Sequence, residues 1–180
     1  MSARRHCGGF TLVEAIATIV VIATLSTGAS VIIVDAADAY ADSATVSELH
    51  TEASVALDRI VRELRSIEND PAGAGVARIA NVDTSSIHFN QADVIRLDGD
   101  EILLTKVGAG DGVLVRDVSS FTIEAFDEAD APLAMPMNGA AAWPIQRVAL
   151  TLTLSRNGRS ETIRTRVFLR ATMSDTAGAP

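Results

Sequence analysis

The chain has 180 residues, a net charge of −8 and 48% hydrophobic residues, with aromatics at only 4%. That length gives room for one membrane span and one modest domain, and the acidic balance excludes the basic patch by which a protein grips nucleic acid. Cys7 is the only cysteine and stands near the N-terminus, so the rest of the chain holds no disulfide and relies on a core of Val, Ile, Leu and Ala.

Residues Met1–Gly9 form a short basic head with Arg4, Arg5 and His6. Behind it, Ala15 to Val34 carries no charged residue and no proline. At about 1.5 Å per residue, those roughly twenty positions cross a hydrocarbon core of about 30 Å. Positive charge on the N-terminal side keeps that end in the cytoplasm and sends the C-terminal bulk outward. Glu14 alone disturbs the pattern. A carboxylate costs about 2.5–3.5 kcal/mol at the centre of a membrane helix and less near its end. Glu14 is therefore either an interfacial side chain of no consequence or one that awaits a cation from a neighbouring subunit. Other heads fit less well. A conventional signal peptide would be cut beyond the apolar run, near Ala23-Thr24-Leu25 or Thr27-Gly28-Ala29, and its apolar stretch would be shorter and free of Glu14. Cys7 follows Arg4-Arg5-His6, not the apolar stretch that precedes a lipoprotein cysteine, and Arg4-Arg5 matches a twin-arginine signal only in its two arginines.

The string Gly9-Phe10-Thr11-Leu12-Val13-Glu14, followed by a charge-free span, resembles the class III signal of type IV pilins and type II secretion pseudopilins. The resemblance implies that a membrane prepilin peptidase cuts between Gly9 and Phe10 and methylates the new N-terminus. Phe10 then becomes the first residue and Glu14 its fifth-position carboxylate, able to neutralise the Phe10 ammonium of an adjacent subunit during assembly. Loss of Arg4 and Arg5 would take the net charge from −8 to about −10.

Past the span, residues 35–44 are alanine-rich and free of glycine and proline, so nothing breaks the helix. Tyr40 suits an interface anchor. Val46, Leu49, Ala53, Leu57, Ile60, Leu64 and Ile67 then recur at spacings of three and four, the apolar stripe of an amphipathic helix. The other face carries Glu48, Glu52, Asp58, Arg59, Arg62, Glu63 and Arg65, with Asp58–Arg62 and Arg59–Glu63 at supportive spacing. Asn69-Asp70-Pro71, then Gly73 and Gly75, stop it. One helix from Phe10 to Asn69 is expected, roughly 90 Å long, with Gly28 as its weakest point. The stripe serves either a coiled coil or the chain's own β-rich part, and the strands that follow favour the second.

Strands are predicted at 76–80, 86–90, 93–97, 101–106, 112–118, 120–126, 145–155 and 160–172. Asp98-Gly99-Asp100 and Asn157-Gly158 supply hairpin turns. In the last pair Val148, Leu150, Leu152 and Leu154 face inward, as do Ile163, Thr165, Val167 and Leu169, while Arg164, Arg166 and Arg170 face out. Residues 129–142, with Pro132 and Pro136, are expected to form a mobile loop, and the tail from Ser174 to fray. The fold class is thus α+β, a long N-terminal helix packed on an antiparallel β-sheet domain. Its parts are leader 1–9, membrane and assembly helix 10–34, amphipathic continuation 35–69, β domain 70–174 and tail 175–180.

Leu57-Asp58-Arg59-Ile60-Val61-Arg62-Glu63-Leu64-Arg65 resembles the segment at the end of the helix in J-type minor pseudopilins. So do Phe121–Phe126, Trp143-Pro144, Val148–Leu154 and the closing Thr165–Arg170, in that order. Membership implies a pilin-like subunit near the tip of a periplasmic pseudopilus that supports protein export. Its partners would be the I- and K-type subunits, the major pseudopilin, the prepilin peptidase and the inner-membrane assembly platform. The body would be periplasmic, on a single span of the inner membrane through residues 10–34. K-type subunits commonly lack the fifth-position glutamate, so Glu14 argues against that type. The alternatives are a minor pilin of a type IV pilus and, from another class, a membrane-tethered periplasmic binding module.

No catalytic motif is present: there is no nucleophile elbow, phosphate loop or dinucleotide fingerprint. His50 and His88 lack a cysteine or second histidine at ligand spacing. Asp98, Asp100, Glu101 and Asp111 could offer oxygens to calcium, but their spacing is not that of a calcium loop. The expectation is a non-enzymatic protein with no cofactor, no metal and no nucleic-acid partner.

Overall fold

The computed structural model describes residues 11–71 and 75–172. The chain divides into two compact units, Met1–Ala44 and Thr45–Pro180. A single helix, α1 (Leu12–Arg65), supplies all the regular structure described in the first unit and opens the second. It runs through Gly28 without a break, and nothing lies within 4 Å of a Cβ built there. The predicted weak point is thus ordinary helix. The expected start at Phe10 lies outside the described residues.

The helix ends four residues before the predicted stop, in a turn at Ser66. Its backbone N–H is shared between the carbonyls of Arg62 at 3.2 Å and Glu63 at 3.0 Å. Its hydroxyl donates to the Glu63 carbonyl at 2.7 Å. The chain then leaves in extended form, with Asn69 bridged to Ala77.

In the second unit the helix meets two antiparallel sheets. Eight longer strands form them: β1 (Ile79–Val82), β2 (Ser86–Phe89), β3 (Asp93–Asp98), β4 (Glu101–Lys106), β5 (Gly110–Val115), β6 (Val118–Phe126), β8 (Arg147–Arg156) and β9 (Arg159–Phe168). A two-residue strand, β7 (Met137–Asn138), completes them. One sheet has the order β5-β4-β3-β2-β1-β7 and the other β6-β8-β9. The sheets share no ladder; single backbone bonds such as Ile123 N–H to Thr84 O at 2.7 Å tie them locally. Between them lies one core that takes Leu49, Ala53, Ala56, Leu57, Ile60 and Leu64 from the helix. The apolar stripe is therefore covered by the chain's own sheets.

The hairpins follow their turn residues. β8 and β9 pair without a slip from Arg147↔Phe168 to Arg156↔Arg159, and the two loop residues, Asn157 and Gly158, both have positive φ, as the favoured two-residue turn requires. Along β9 the inward Glu161, Ile163, Thr165 and Val167 alternate with exposed Thr162, Arg164, Arg166 and Phe168. That is the predicted alternation. Thr172 was predicted as the end of this strand; instead a 3-10 turn at Arg170–Thr172 follows it. At the other end of the domain the first strand sits later than predicted, because the Asn69 bridge takes Ala77 and the ladder starts at Ile79. β5 spans Gly110–Val115, where 112–118 was predicted: Asp117, at φ 59, turns the chain, and β6 begins at Val118.

The predicted loop 129–142 holds more structure than its composition suggests. It contains β7, which pairs with β1, and a 3-10 turn at Gly139–Ala142. Asp130 fastens its first half, accepting bonds from Arg147 at 2.8 Å and Arg166 at 2.9 Å. Those guanidiniums lie over the Phe168 and Phe126 rings at 4.7 and 4.4 Å. The loop is therefore clamped onto the outer face of the smaller sheet by two arginines, each seated on an aromatic ring.

Two predictions follow from this packing. Ile60 is fully buried, and Ile60→Ala lowers unfolding stability by about 2–5 kcal/mol, read by denaturant titration of the full chain in detergent. The Arg147 hydrogen bond, followed by the charge of Arg166, lowers the pKa of Asp130 from 3.8. The clamp's contribution is thus complete above the ordinary carboxylate value and disappears as pH falls through the lowered one. Amide exchange at Asp130, Ala131 and Leu133, relative to intrinsic rates, stays slow to about pH 4 and rises only below it.

Candidate functional site

Of the residues singled out in the head, Gly9 and Phe10 lie outside the described residues, and Glu14 lies in the first turn of α1. The turn is built by Thr11. Its carbonyl accepts the first helical bond, from Ala15 N–H at 3.1 Å, and its Oγ1 accepts from Glu14 N–H at 3.3 Å. Thr11 is therefore the N-cap and Glu14 stands at the third helical position, the Thr-x-x-Glu pattern of a capping box. The N-terminus of a helix carries partial positive charge, which favours a carboxylate by about 0.3–1 kcal/mol. Glu14 is also exposed. It thus has a stabilising place within its own chain, whatever it meets outside.

The span that follows is an apolar surface without cover among the described residues. Leu12, Ile19, Leu25, Ile32 and Ile33 are all more than 60% exposed. Its hydroxyls turn inward on the helix: Thr18 donates to Glu14 O at 2.7 Å, Thr27 to Ala23 O at 2.9 Å and Ser30 to Ser26 O at 2.8 Å. Thr24 shares its proton between Val20 O and Val21 O. With these donors satisfied inside the helix, the segment enters hydrocarbon without stranding them. Among the described residues one helix, α1, is long and apolar enough to cross a membrane.

Most polar residues noted in the body are engaged within the fold. His50 Nδ1 lies 2.9 Å from Glu161 Oε1, joining the helix to β9, while His88 is exposed on β2. Glu101 pairs with Arg116 at 2.7 Å. Asp111 accepts from the Thr105 hydroxyl and from Arg96 at 2.8 Å, and these bonds, the hydroxyl first, lower its pKa. Arg156 gathers Asp117, Glu52 and Glu48 at 2.7, 2.9 and 3.3 Å, and Asp117 leads the causes that raise its pKa. Glu48 and Glu52, assigned to a solvated face, are thus ties from helix to sheet. Arg62 donates to the Asp58 carbonyl at 3.2 Å, and not to its carboxylate as the spacing suggested.

The larger correction is Glu63. Placed on the polar face by its spacing, it is only 5% exposed, held by Arg59 at 2.7 Å and Lys106 at 2.5 Å. The buried face of the helix is wider than the apolar stripe, and the end of β4 covers this side. A carboxylate there is tolerated because it is paired inside the fold.

Compared with known families, residues 4–30 match the prokaryotic N-terminal methylation motif. The match contains Gly9, Phe10, Thr11 and Glu14 and runs into the span, so the chain carries the signal of a type IV pilin-like precursor with an N-terminal membrane anchor. No curated protein matches the sequence.

In the sequence Thr11 figures only as part of the signal string, although Thr11-x-x-Glu14 is the spacing of a cap. Thr11→Ala removes the Oγ1 acceptor and destabilises the first turn by about 1 kcal/mol. Faster amide exchange at Glu14 in detergent micelles, with residues past Thr18 unaffected, is the expected result.

Proposed function

We propose that this chain is the precursor of a minor pseudopilin of a type II secretion system. The methylation motif at residues 4–30, leading into a helix whose apolar side chains are exposed, carries the proposal. In this reading a prepilin peptidase cuts between Gly9 and Phe10 and N-methylates Phe10. Residues 10–34 hold the subunit in the inner membrane with the α+β body in the periplasm. The protein catalyses nothing; it acts by being drawn into a short filament whose centre is a bundle of such helices.

Assembly supplies what the membrane withholds. In lipid, the Phe10 ammonium and the Glu14 carboxylate both resist full burial. In the filament, the Glu14 of one subunit faces the Phe10 ammonium of the next, and the cost of leaving either unpaired, about 3–5 kcal/mol, sets the register. J-type identity is supported by segments that fall in structured elements: Leu57–Arg65 in the last turns of α1, Phe121–Phe126 in β6 and Val148–Leu154 in β8. On that identity the body contacts I- and K-type subunits near the tip, above the major pseudopilin and the assembly platform. A minor pilin of a type IV pilus would use the same head and fold, and the two are separated by whether loss of the protein abolishes secretion or twitching.

Intact mass and N-terminal sequence of membrane-extracted protein, with and without the peptidase, test the processing step. A start at methylated Phe10 is expected; an uncleaved Met1 would leave a tethered binding module. Glu14→Ala is processed like the wild type but is largely missing from the sheared filament fraction. Normal incorporation of that variant would sink the charge-pairing step.

A further inference from the structure

Lys106 is the only lysine in the chain; every other cationic side chain of its class is arginine. Arginine stays charged and makes no useful nucleophile, whereas a lysine amine becomes one once its proton is removed. The one amine side chain is about a third exposed. It reaches into the corner where α1 crosses the end of β3 and β4, beside the only two residues among those described that are buried and carry a carboxylate, Glu63 and Asp93. Glu63 Oε2 lies 2.5 Å from Lys106 Nζ, and Asp93 Oδ2 lies 3.8 Å from it.

The backbone makes this meeting unavoidable. β3 and β4 pair with Val94 opposite Thr105, so one step further along the same register Asp93 stands across from Lys106. Side chains directly opposite on neighbouring strands have Cβ atoms about 4.5–5.5 Å apart, short enough for a lysine and an aspartate to be joined. Glu63 closes the group from the helix. Its second oxygen is fixed by Arg59 at 2.7 Å.

We propose that Lys106 and Asp93 form an intramolecular amide, with Glu63 as the proton carrier. Each atom needed has a place. Asp93 Oδ1 accepts the backbone N–H of Val107 at 3.2 Å, which polarises the carbonyl that must be attacked. Asp93 Oδ2 is the oxygen nearer the amine and accepts a long bond from Asn90 Nδ2 at 3.4 Å; it is the one that leaves. Glu63 takes a proton from the Lys106 ammonium and frees its lone pair. The Nζ–Cγ bond forms and the Cγ–Oδ2 bond breaks. Two protons of the ammonium pass through Glu63 to Oδ2, which departs as water, and Glu63 ends in the state in which it began. Nothing is oxidised or reduced and no co-reactant is required. Condensation is uphill between separate molecules in water, but holding both groups in one fold supplies effective molarities of up to about 10⁵–10⁸ M.

The product would be a cross-link between adjacent strands, in a body that has no cysteine of its own. Unlike a disulfide, it would not depend on the redox state of the compartment.

Intact mass spectrometry of the purified full chain decides the matter, since an ion pair leaves mass unchanged. The expected mass is lower than that calculated for the observed N-terminus by one water. In the denatured chain Lys106 resists an amine-reactive label and trypsin fails to cut after it. Lys106→Arg, which keeps the charge, and Glu63→Gln, which removes the proton carrier, both return to the full calculated mass. A wild-type chain at full mass, with Lys106 labelled after denaturation, overturns the proposal and leaves a buried ion pair. So does the loss of one water persisting in Lys106→Arg. If a variant does not fold, the wild-type mass and labelling still decide.

Discussion

Burial of one face of α1, from Leu49 to Leu64, is the interaction on which the body depends. The two sheets share no strand, so without that face each would show its apolar side to water. Each fully buried Leu or Ile contributes about 1.5–3 kcal/mol, and the helix brings several that touch one continuous core. Charged ties then fix how the helix lies within that unit. Arg156 and Glu161 connect it to the smaller sheet, and Lys106 connects it to the larger. These ties are individually modest where they are exposed. The buried one at Glu63 is different, because a carboxylate left there with no cation would be stranded in the core.

Apolar burial serves opposite ends in the two parts of the helix. Past residue 45 the apolar side chains form a stripe and find cover within the chain. Before residue 35 they ring the helix and find none. A helix apolar on all sides belongs in lipid or in a bundle of like helices, and in the function proposed above the protein visits both. The same reasoning explains why the polar atoms are arranged so differently. In the body, side chains bond across elements; in the span, hydroxyls bond back to their own turn.

Features that repeat were legible in the sequence. The spacing of Leu49, Ala53, Leu57, Ile60 and Leu64 gave the buried face, and Asn157-Gly158 gave the last hairpin with its register. Features that depend on a distant neighbour were not. Glu63 has an arginine four residues before it, which reads as a solvated pair; only the fold reveals that β4 closes over it. β7 is two residues long and lies just beyond Pro136, so no periodicity announces it, and its pairing with β1 is a matter of tertiary proximity. Thr11 is a different case: the Thr-x-x-Glu pattern of its cap is complete in the local sequence.

The back-bonded hydroxyls of the span bear on how such helices can move past one another. Interhelical hydrogen bonds act as polar glue between membrane helices, worth about 0.6 kcal/mol on average and up to about 1.7. Thr18, Thr24, Thr27 and Ser30 have already directed their protons at carbonyls one turn back, so they offer a neighbour little to hold. In the proposed filament, contact along this stretch then rests on packing alone, and the proposed pairing of Glu14 with a neighbour's Phe10 ammonium is left to fix the register.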